Sequence, residues 1–351
     1  IASAYLQGIR DFDVDLGYQA ALKNELDGYN RPRGAGKLDV DQFVKNGYVG
    51  QIDKSDNEIH ESWMFSASHT LEYSFSSYSV GQFAKALGKI DDYQKLNKLS
   101  NGWKNLFDSN LKLIRPKYED GRFIDNFNPS QAWRGFQEGN SYQYTFYVPH
   151  DAKNLIDTIG EDVFIKRLDS IFIKAEVLEF GGGKNIDAFS GLEGMYNQGN
   201  QPNLHVAWMF NFADKPSLTQ KWVRQICDKF YGIEGVHGYG YGQDEDQGQL
   251  GAWYVLAGIG LFDVAGLSGP EAKMGLSSPL FDKITITLNP KYYTGKQFVI
   301  QKKSGQSVGR YIESIRLNNQ SIHEPFITFK SITAGGLLEL EMGNTARDNY
   351  N

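Results

Sequence analysis

The stretch Gly235-Val236-His237-Gly238-Tyr239-Gly240-Tyr241-Gly242-Gln243-Asp244-Glu245-Asp246-Gln247-Gly248-Gln249-Leu250-Gly251-Ala252-Trp253-Tyr254 is a glycine–tyrosine loop, then three consecutive acids, then an apolar run. Glycine reaches backbone angles that other residues resist, so such a loop can fold tightly against a ligand. The acids fall just before a predicted helix over 249–258. A helix start has free N–H groups and a partial positive charge, which favour carboxylates there. The same acids also read as caps that solvate this helix, a common use of acidic residues.

Loop-then-helix recurs along the chain. Gly135-Phe136-Gln137-Glu138-Gly139-Asn140 is a second Gly-flanked acidic loop, and Pro149 stops the segment that follows it. A third loop, 181–203, ends in Asn197-Gln198-Gly199-Asn200-Gln201-Pro202. Helical spacing of Leu71, Phe75, Tyr78, Val80, Phe83, Ala84 and Leu87 predicts a helix over 68–87, closed by Gly88. Similar patterns predict helices over 91–107, 153–159, 162–176, 204–212 and 217–231. Residues 1–62 are polar and turn-rich, with Tyr29-Asn30-Arg31-Pro32-Arg33-Gly34 as a loop. After about residue 265 the texture changes to short β-prone runs, 284–288, 297–301, 312–317, 327–332 and 337–342, broken by Asn, Gly and Pro. The chain therefore reads as mostly α with a β-rich C-terminal tail. Residues 1–265 form a helical region, and 266–351 a β-rich segment packed on it. Helical hairpins arranged in a ring place alternate loops at one end, so acids distant in sequence can meet over one pocket. That pattern permits an α/α toroid.

Composition narrows the function. The chain has 351 residues, 40% of them apolar, with 20 Tyr, 22 Phe and 6 Trp. That is enough for a large core in one domain or two. The formal net charge is −6 with 36 scattered basic residues, which gives no nucleic-acid footprint. No apolar run has the length of a membrane span. The single cysteine, Cys227, excludes an intrachain disulfide and reads as a small buried apolar residue in the 217–231 helix. No Cys/His cluster has zinc spacing. His150 and His205 read as hydrogen-bonding core or loop residues. The abundant aromatic rings suit stacking on apolar sugar faces, although each ring singly reads as core. The sequence starts at Ile1 without an initiator methionine or export signal, as a mature, truncated or cleaved product would.

A glycosidase needs one protonated carboxylic acid for the leaving oxygen and a second carboxylate that attacks the sugar or activates water. Glu138 is the candidate acid, because its neighbours Gly135, Phe136 and Gly139 are small or apolar, an environment that raises a carboxyl pKa. Asp244 and Asp246, at alternate positions, could hold one water between two acceptors. The bland readings are a surface glutamate and a capped helix. Amide side chains Gln137, Asn140, Asn197, Asn200, Gln201 and Gln243 also gather in these loops, and hard cations such as calcium take such oxygens. Each amide singly reads equally as a turn-bonding group.

The chain resembles the C-terminal portion of glycoside hydrolase family 92, the calcium-dependent exo-acting α-mannosidases. Its landmarks run over about 60–345: Thr70-Leu71-Glu72-Tyr73, Ala84-Lys85-Ala86-Leu87-Gly88-Lys89, Trp103-Lys104-Asn105-Leu106-Phe107-Asp108, Glu138-Gly139-Asn140, Val148-Pro149-His150-Asp151, Gly199-Asn200-Gln201-Pro202, Asp244-Glu245-Asp246, Ala252-Trp253-Tyr254 and Ser277-Ser278-Pro279-Leu280-Phe281. The resemblance implies an (α/α)6 toroid preceded by an N-terminal β-sandwich, most of it absent from this chain together with the first helices. It implies inversion, with Glu138 as general acid and Asp244 and Asp246 as the general-base pair. It implies Ca2+ bound to the 2- and 3-hydroxyls of mannose, a neighbourhood that falls on Asn140, Asn200 and Gln201. Gln137, Gln198 and Gly199 fall on substrate-binding positions. It also implies α-mannoside glycans and the missing β-sandwich as partners, and a periplasmic, secreted or surface-anchored bacterial setting.

Three departures stand out. Gln201 replaces a glutamate common in the family. Gln198-Gly199 stands where α-1,2-selective members carry a His-Glu pair, which disfavours α-1,2 linkages. Ser76-Ser77 replaces a common acidic pair. Retention of Glu138 points to an ordinary glycosidic leaving group rather than phosphate, which leaves readily without a proton. The alternatives are a non-catalytic mannan-binding protein derived from the enzyme, and an inverting toroid glycosidase acting on another α-glycoside.

Overall fold

In the computed structural model the chain is described over residues 1–28, 36–52, 65–182, 195–232, 248–304 and 309–350. Its internal contacts gather into two units. The first comprises Ile1–Asp151 with the short segments Leu192–Met195 and Ser268–Pro270; the second comprises Ala152–Gly191, Tyr196–Leu267 and Glu271–Asn351.

The first unit is built on one long helix. Its helices are α1 (Ala2–Leu6), α2 (Val14–Leu26), α3 (Val40–Asn46), α4 (Ser66–Ala86), α5 (Ile90–Leu99) and the single-turn α6 (Ser141–Tyr144). Strands β1 (Phe107–Asp108) and β2 (Leu113–Ile114) pair antiparallel. α4 is buried on more than one face, through Leu71, Tyr73, Val80 and Phe83. Its hydroxyl residues therefore bond back into the helix: Thr70 Oγ1 donates to Ser66 O at 2.8 Å and Ser74 Oγ to Thr70 O at 2.7 Å. Phe83 anchors the packing, with the Tyr5 and Tyr18 rings 4.9 and 5.4 Å away.

The second unit combines helices α7 (Ala152–Ile159), α8 (Glu161–Glu176), α9 (Pro216–Lys229), α10 (Gln249–Ile259) and α11 (Phe329–Thr333) with eight strands. These are β3 (Leu261–Phe262), β4 (Lys273–Leu276), β5 (Lys283–Thr287), β6 (Gln297–Ser304), β7 (Tyr311–Leu317), β8 (Gln320–Ile322), β9 (Phe326–Thr328) and β10 (Gly336–Gly343). A five-stranded sheet runs in the order β5-β6-β10-β7-β8, and a three-stranded sheet in the order β3-β4-β9. Within the larger sheet β10 pairs parallel with β6 and antiparallel with β7. Alternation sets the core: Leu338, Leu340 and Met342 of β10 are buried, whereas Glu339 and Glu341 lie on the other face. On β7, Ile312 and Ile315 are both buried although their odd spacing should place them on opposite faces. A register shift opposite Glu341/Met342 reconciles the two.

The periodic helices form where the sequence puts them, within a few residues. Cys227 is buried in α9, as expected. Four expectations are corrected. The polar N-terminal stretch contains α1–α3, because polar residues such as Glu25 are buried with partners: Lys37 and Ser77 both bond its carboxylate. The helix expected over 91–107 ends at Leu99 and continues as a 3-10 turn, Gly102–Leu106. The run over 204–212 is 3-10 rather than α, at Val206–Ala213. The strand expected over 327–332 stops at Thr328, whose side chain accepts from Ser331 N at 3.0 Å and so starts α11.

Gln220 on α9 ties helix to sheet. Its carbonyl accepts from Ile312 N at 2.7 Å and Ser278 Oγ at 3.0 Å, and its amide donates to Tyr350 Oη at 3.1 Å. The adjacent Thr219 hydroxyl is buried without a partner. Gln220→Leu should thus destabilise the protein by about 2 kcal/mol or more, because it strands the buried Ile312 N–H. Thr219→Val should be neutral or raise stability by about 1 kcal/mol, since it removes an unsatisfied hydroxyl at nearly constant shape. Denaturant unfolding of the two variants checks both signs.

Candidate active site

Glu138 sits in a loop moulded to the start of α4. The first N–H groups of a helix need acceptors. At α4 no side chain caps the start; the carbonyl of Gly135 accepts from Ala67 N at 2.9 Å and from Ser68 N at 3.1 Å. Gly135 itself has φ +85°, and a Cβ there would lie 2.3 Å from Pro116 Cγ, so only glycine fits. Phe136 is fully buried, with the Tyr144 ring 5.5 Å away.

Next along the loop, Gln137 is held at both backbone polar groups. Its N–H donates to Ser68 Oγ at 2.9 Å, and its carbonyl accepts from Tyr144 Oη at 2.7 Å. The Gln137 side chain is exposed and Glu138 is half-buried. Glu138 adopts φ +51°, a left-handed conformation that costs a non-glycine residue about 1–2 kcal/mol. Such strain persists only where the surroundings over-determine the backbone, and it concentrates at working sites.

Asn140 closes the loop by capping α6. Its Oδ1 accepts from Tyr142 N at 3.0 Å and Gln143 N at 3.3 Å, while Gln143 Oε1 accepts from Asn140 N at 3.0 Å. A second acid stands on α4 one turn beyond Ser68: Glu72 Oε2 accepts from Tyr147 Oη at 2.7 Å. Burial pushes the Glu72 carboxyl above its ordinary range, and the Tyr147 hydrogen bond partly offsets this. Burial likewise raises the Tyr144 and Tyr147 phenols, and the Glu72 charge adds to both shifts. Ser68, Tyr144 and Tyr147 carried no signal in the sequence, and Glu72 stood out only within the Thr70-Leu71-Glu72-Tyr73 landmark: helical spacing relates Ser68 to Glu72, but nothing there links either to the loop.

The amide-rich loop belongs to the second unit. Gln198 is fully buried; its backbone N–H donates to Phe180 O at 2.8 Å, its amide to Tyr231 Oη at 3.0 Å, and its carbonyl accepts from Tyr196 Oη. Gly199 N donates to Asn197 Oδ1 at 2.8 Å. The Asn197 amide nitrogen is buried with no partner and so presents a donor for an acceptor. Asn200 is buried, and Gln201 starts a 3-10 turn ahead of Pro202. His150, in the first unit, is a structural histidine. Its Nε2 bonds the Ser100 carbonyl at 2.9 Å, its Nδ1 has no partner, and burial pushes its pKa down to about 4. Asp244 and Asp246 lie outside the described residues.

The donor chemistry distinguishes the three amides assigned to calcium. Asn140 does not fit as a ligand, since both acceptor positions of its carbonyl are taken by the α6 N–H groups. Asn200 and Gln201 place two amide side chains next to each other at the start of a 3-10 turn. Calcium takes six to eight oxygens, roughly, so these two amides make a partial set. Among the described residues no three His, Cys, Asp or Glu side chains converge.

A sequence profile of the glycosyl hydrolase family 92 catalytic domain matches residues 1–344. An uncharacterized secreted glycosidase from Arthroderma benhamiae is 26% identical, over 98% of this chain and 44% of that protein. A family 92 α-mannosidase from Bacteroides thetaiotaomicron superposes with a TM-score of 0.80 at 27% identity, over 99% of this chain and 41% of that one. An inverting mannosidase of the same family and organism superposes with a TM-score of 0.78 at 26% identity, over 98% and 45% of the two chains. The chain thus spans less than half the length of these relatives.

The loop geometry has a direct test. A Cβ on Gly139 would lie 2.5 Å from Gln143 Oε1 and 2.9 Å from the Tyr144 ring. Gly139→Ala is expected to cost about 1–3 kcal/mol through overpacking, read by denaturant unfolding against the parent protein.

Proposed function

The chain belongs to glycosyl hydrolase family 92, and from that membership we propose that it forms part of an exo-acting α-mannosidase that removes terminal α-mannosyl residues with inversion. The observation that carries this reading is the family match along nearly the whole chain, with Glu138 held in a strained, tightly framed loop. Inversion is supported by the relative described as an inverting mannosidase. In the proposed reaction Glu138 protonates the glycosidic oxygen, and Asp244 and Asp246 draw a proton from the attacking water. That arrangement requires carboxyls about 6.5–9.5 Å apart. The Asn197 amide nitrogen, buried without a partner, suits a sugar hydroxyl, and Gln137, Gln198 and Gly199 stay in the proposal as substrate-binding residues.

Asn200 and Gln201 remain in the proposal as calcium ligands, with Asn140 a capping residue. When bound, the calcium would polarise sugar hydroxyls; the chain's own amides orient it. We further infer that helices within residues 1–265 belong to an (α/α)6 toroid, that 266–351 packs on it, and that a β-sandwich completes the protein. An exported protein is the setting we favour: a relative is named as secreted, and among the described residues no helix is long and apolar enough to cross a membrane.

The test is mannose release from α-1,2-, α-1,3- and α-1,6-linked mannobioses by the full-length protein, with NMR of the nascent anomer. We expect β-mannose, and a loss of turnover by at least about a hundredfold in Glu138→Gln, on the scale of general acid catalysis. Release of α-mannose would mean retention and remove the roles given to Asp244 and Asp246. Sugar binding without turnover would move the reading to a glycan-binding protein. In the same assay a chelator should abolish turnover and added Ca2+ restore it. Asn200→Ala should raise the calcium concentration required by about tenfold, a loss on the scale of one supporting ligand.

A further inference from the structure

The mechanism above leaves unused a set of buried hydroxyls beside Glu138. Gln137 N–H donates to Ser68 Oγ at 2.9 Å, and Tyr144 O–H donates to the Gln137 carbonyl at 2.7 Å. A backbone N–H can only donate and a carbonyl only accept, so the direction of both bonds is fixed.

We propose that Ser68 and Tyr144 are positioning residues that clamp the Gln137 peptide and thereby hold the Glu138 carboxyl where it can deliver its proton. The argument is geometric. The Gln137 carbonyl and the Glu138 nitrogen share one peptide plane, so fixing that carbonyl fixes the start of Glu138. Glu138 must then be kept at φ +51°, against its own preference. Ser68 is 3% and Tyr144 4% exposed, so water does not compete for either bond. Ser68 lies in the first turn of α4, a rigid element, and Tyr144 ends α6, whose start Asn140 fixes by its capping box. The clamp thus joins two helices through the residue before the acid. Tyr147 is a useful contrast: it is a neighbouring tyrosine whose hydroxyl donates to Glu72 on α4.

This inference rests on the reading of Glu138 as proton donor, and the experiment separates the two. In the full-length protein, Tyr144→Phe and Ser68→Ala are compared with Glu138→Gln and Tyr147→Phe. The substrates are an α-mannobiose, whose leaving alkoxide needs a proton, and α-mannosyl fluoride, whose fluoride needs far less. Tyr144→Phe and Ser68→Ala should each lower kcat on the disaccharide by about 10–100-fold, the range expected for a misplaced acid. KM should not change, and rates on the fluoride should stay within about threefold. Tyr147→Phe, a merely structural loss, should affect both substrates equally.

If Glu138→Gln separates the substrates but both clamp variants lower them equally, or lower neither, the clamp is overturned and the proton-donor reading stands. If Glu138→Gln itself fails to separate them, both fall. Should Tyr144→Phe not fold, Ser68→Ala decides alone, as it deletes the clamp's other hydrogen bond from the helix side.

Discussion

A buried helix must satisfy its first N–H groups, and at α4 the acceptor is the carbonyl of Gly135. That one interaction ties the longest described helix of the first unit to the loop that presents Glu138. Helix starts are usually capped by their own side chains, which leaves neighbouring loops free to vary. Here the loop is the cap. Gly135 and Gly139 are then fixed by crowding, Gln137 by hydrogen bonds at both ends, and Asn140 by the turn it starts. The strained backbone of Glu138 is the residue left between these anchors.

The long periodic helices and the alternating strands were legible because their burial is one-sided: a face of apolar residues recurs at the period of the element. What stayed hidden lacks that asymmetry. Val206–Ala213 is apolar except for Asn211 and buried at nearly every position, so no period distinguishes 3-10 from α. α2 buries Tyr18 and Glu25, a polar pair whose burial depends on partners elsewhere in the chain. The run after Phe326 is β-prone throughout, and only the Thr328 side chain turns it into a helix.

The same logic divides the site. Glu138 was singled out because glycines flank it, and the structure explains atom by atom why Gly135 and Gly139 are glycines. Ser68 and Tyr144 could not, since they act on another residue's backbone and any hydroxyl at those positions would look the same in sequence. Asn140 was recognisable as an oxygen donor but not as a cap, because both uses draw on the same amide. Only the geometry shows that its carbonyl is already engaged.

The strand order of the larger sheet has a consequence for biosynthesis. β10 lies between β6 and β7, yet it is the last of the sheet's strands to leave the ribosome. Until residue 343 emerges, β6 and β7 each present an unpaired edge, and Phe298, Ile300, Ile312 and Ile315 lack the strand that joins them. The parallel β6–β10 pairing also spans the whole β7–β9 segment, a long-range closure that folds slowly. The nascent chain therefore passes through a stage with an apolar, strand-edged surface exposed, and its protection until the final strand docks is a requirement of this topology rather than of the chemistry it supports.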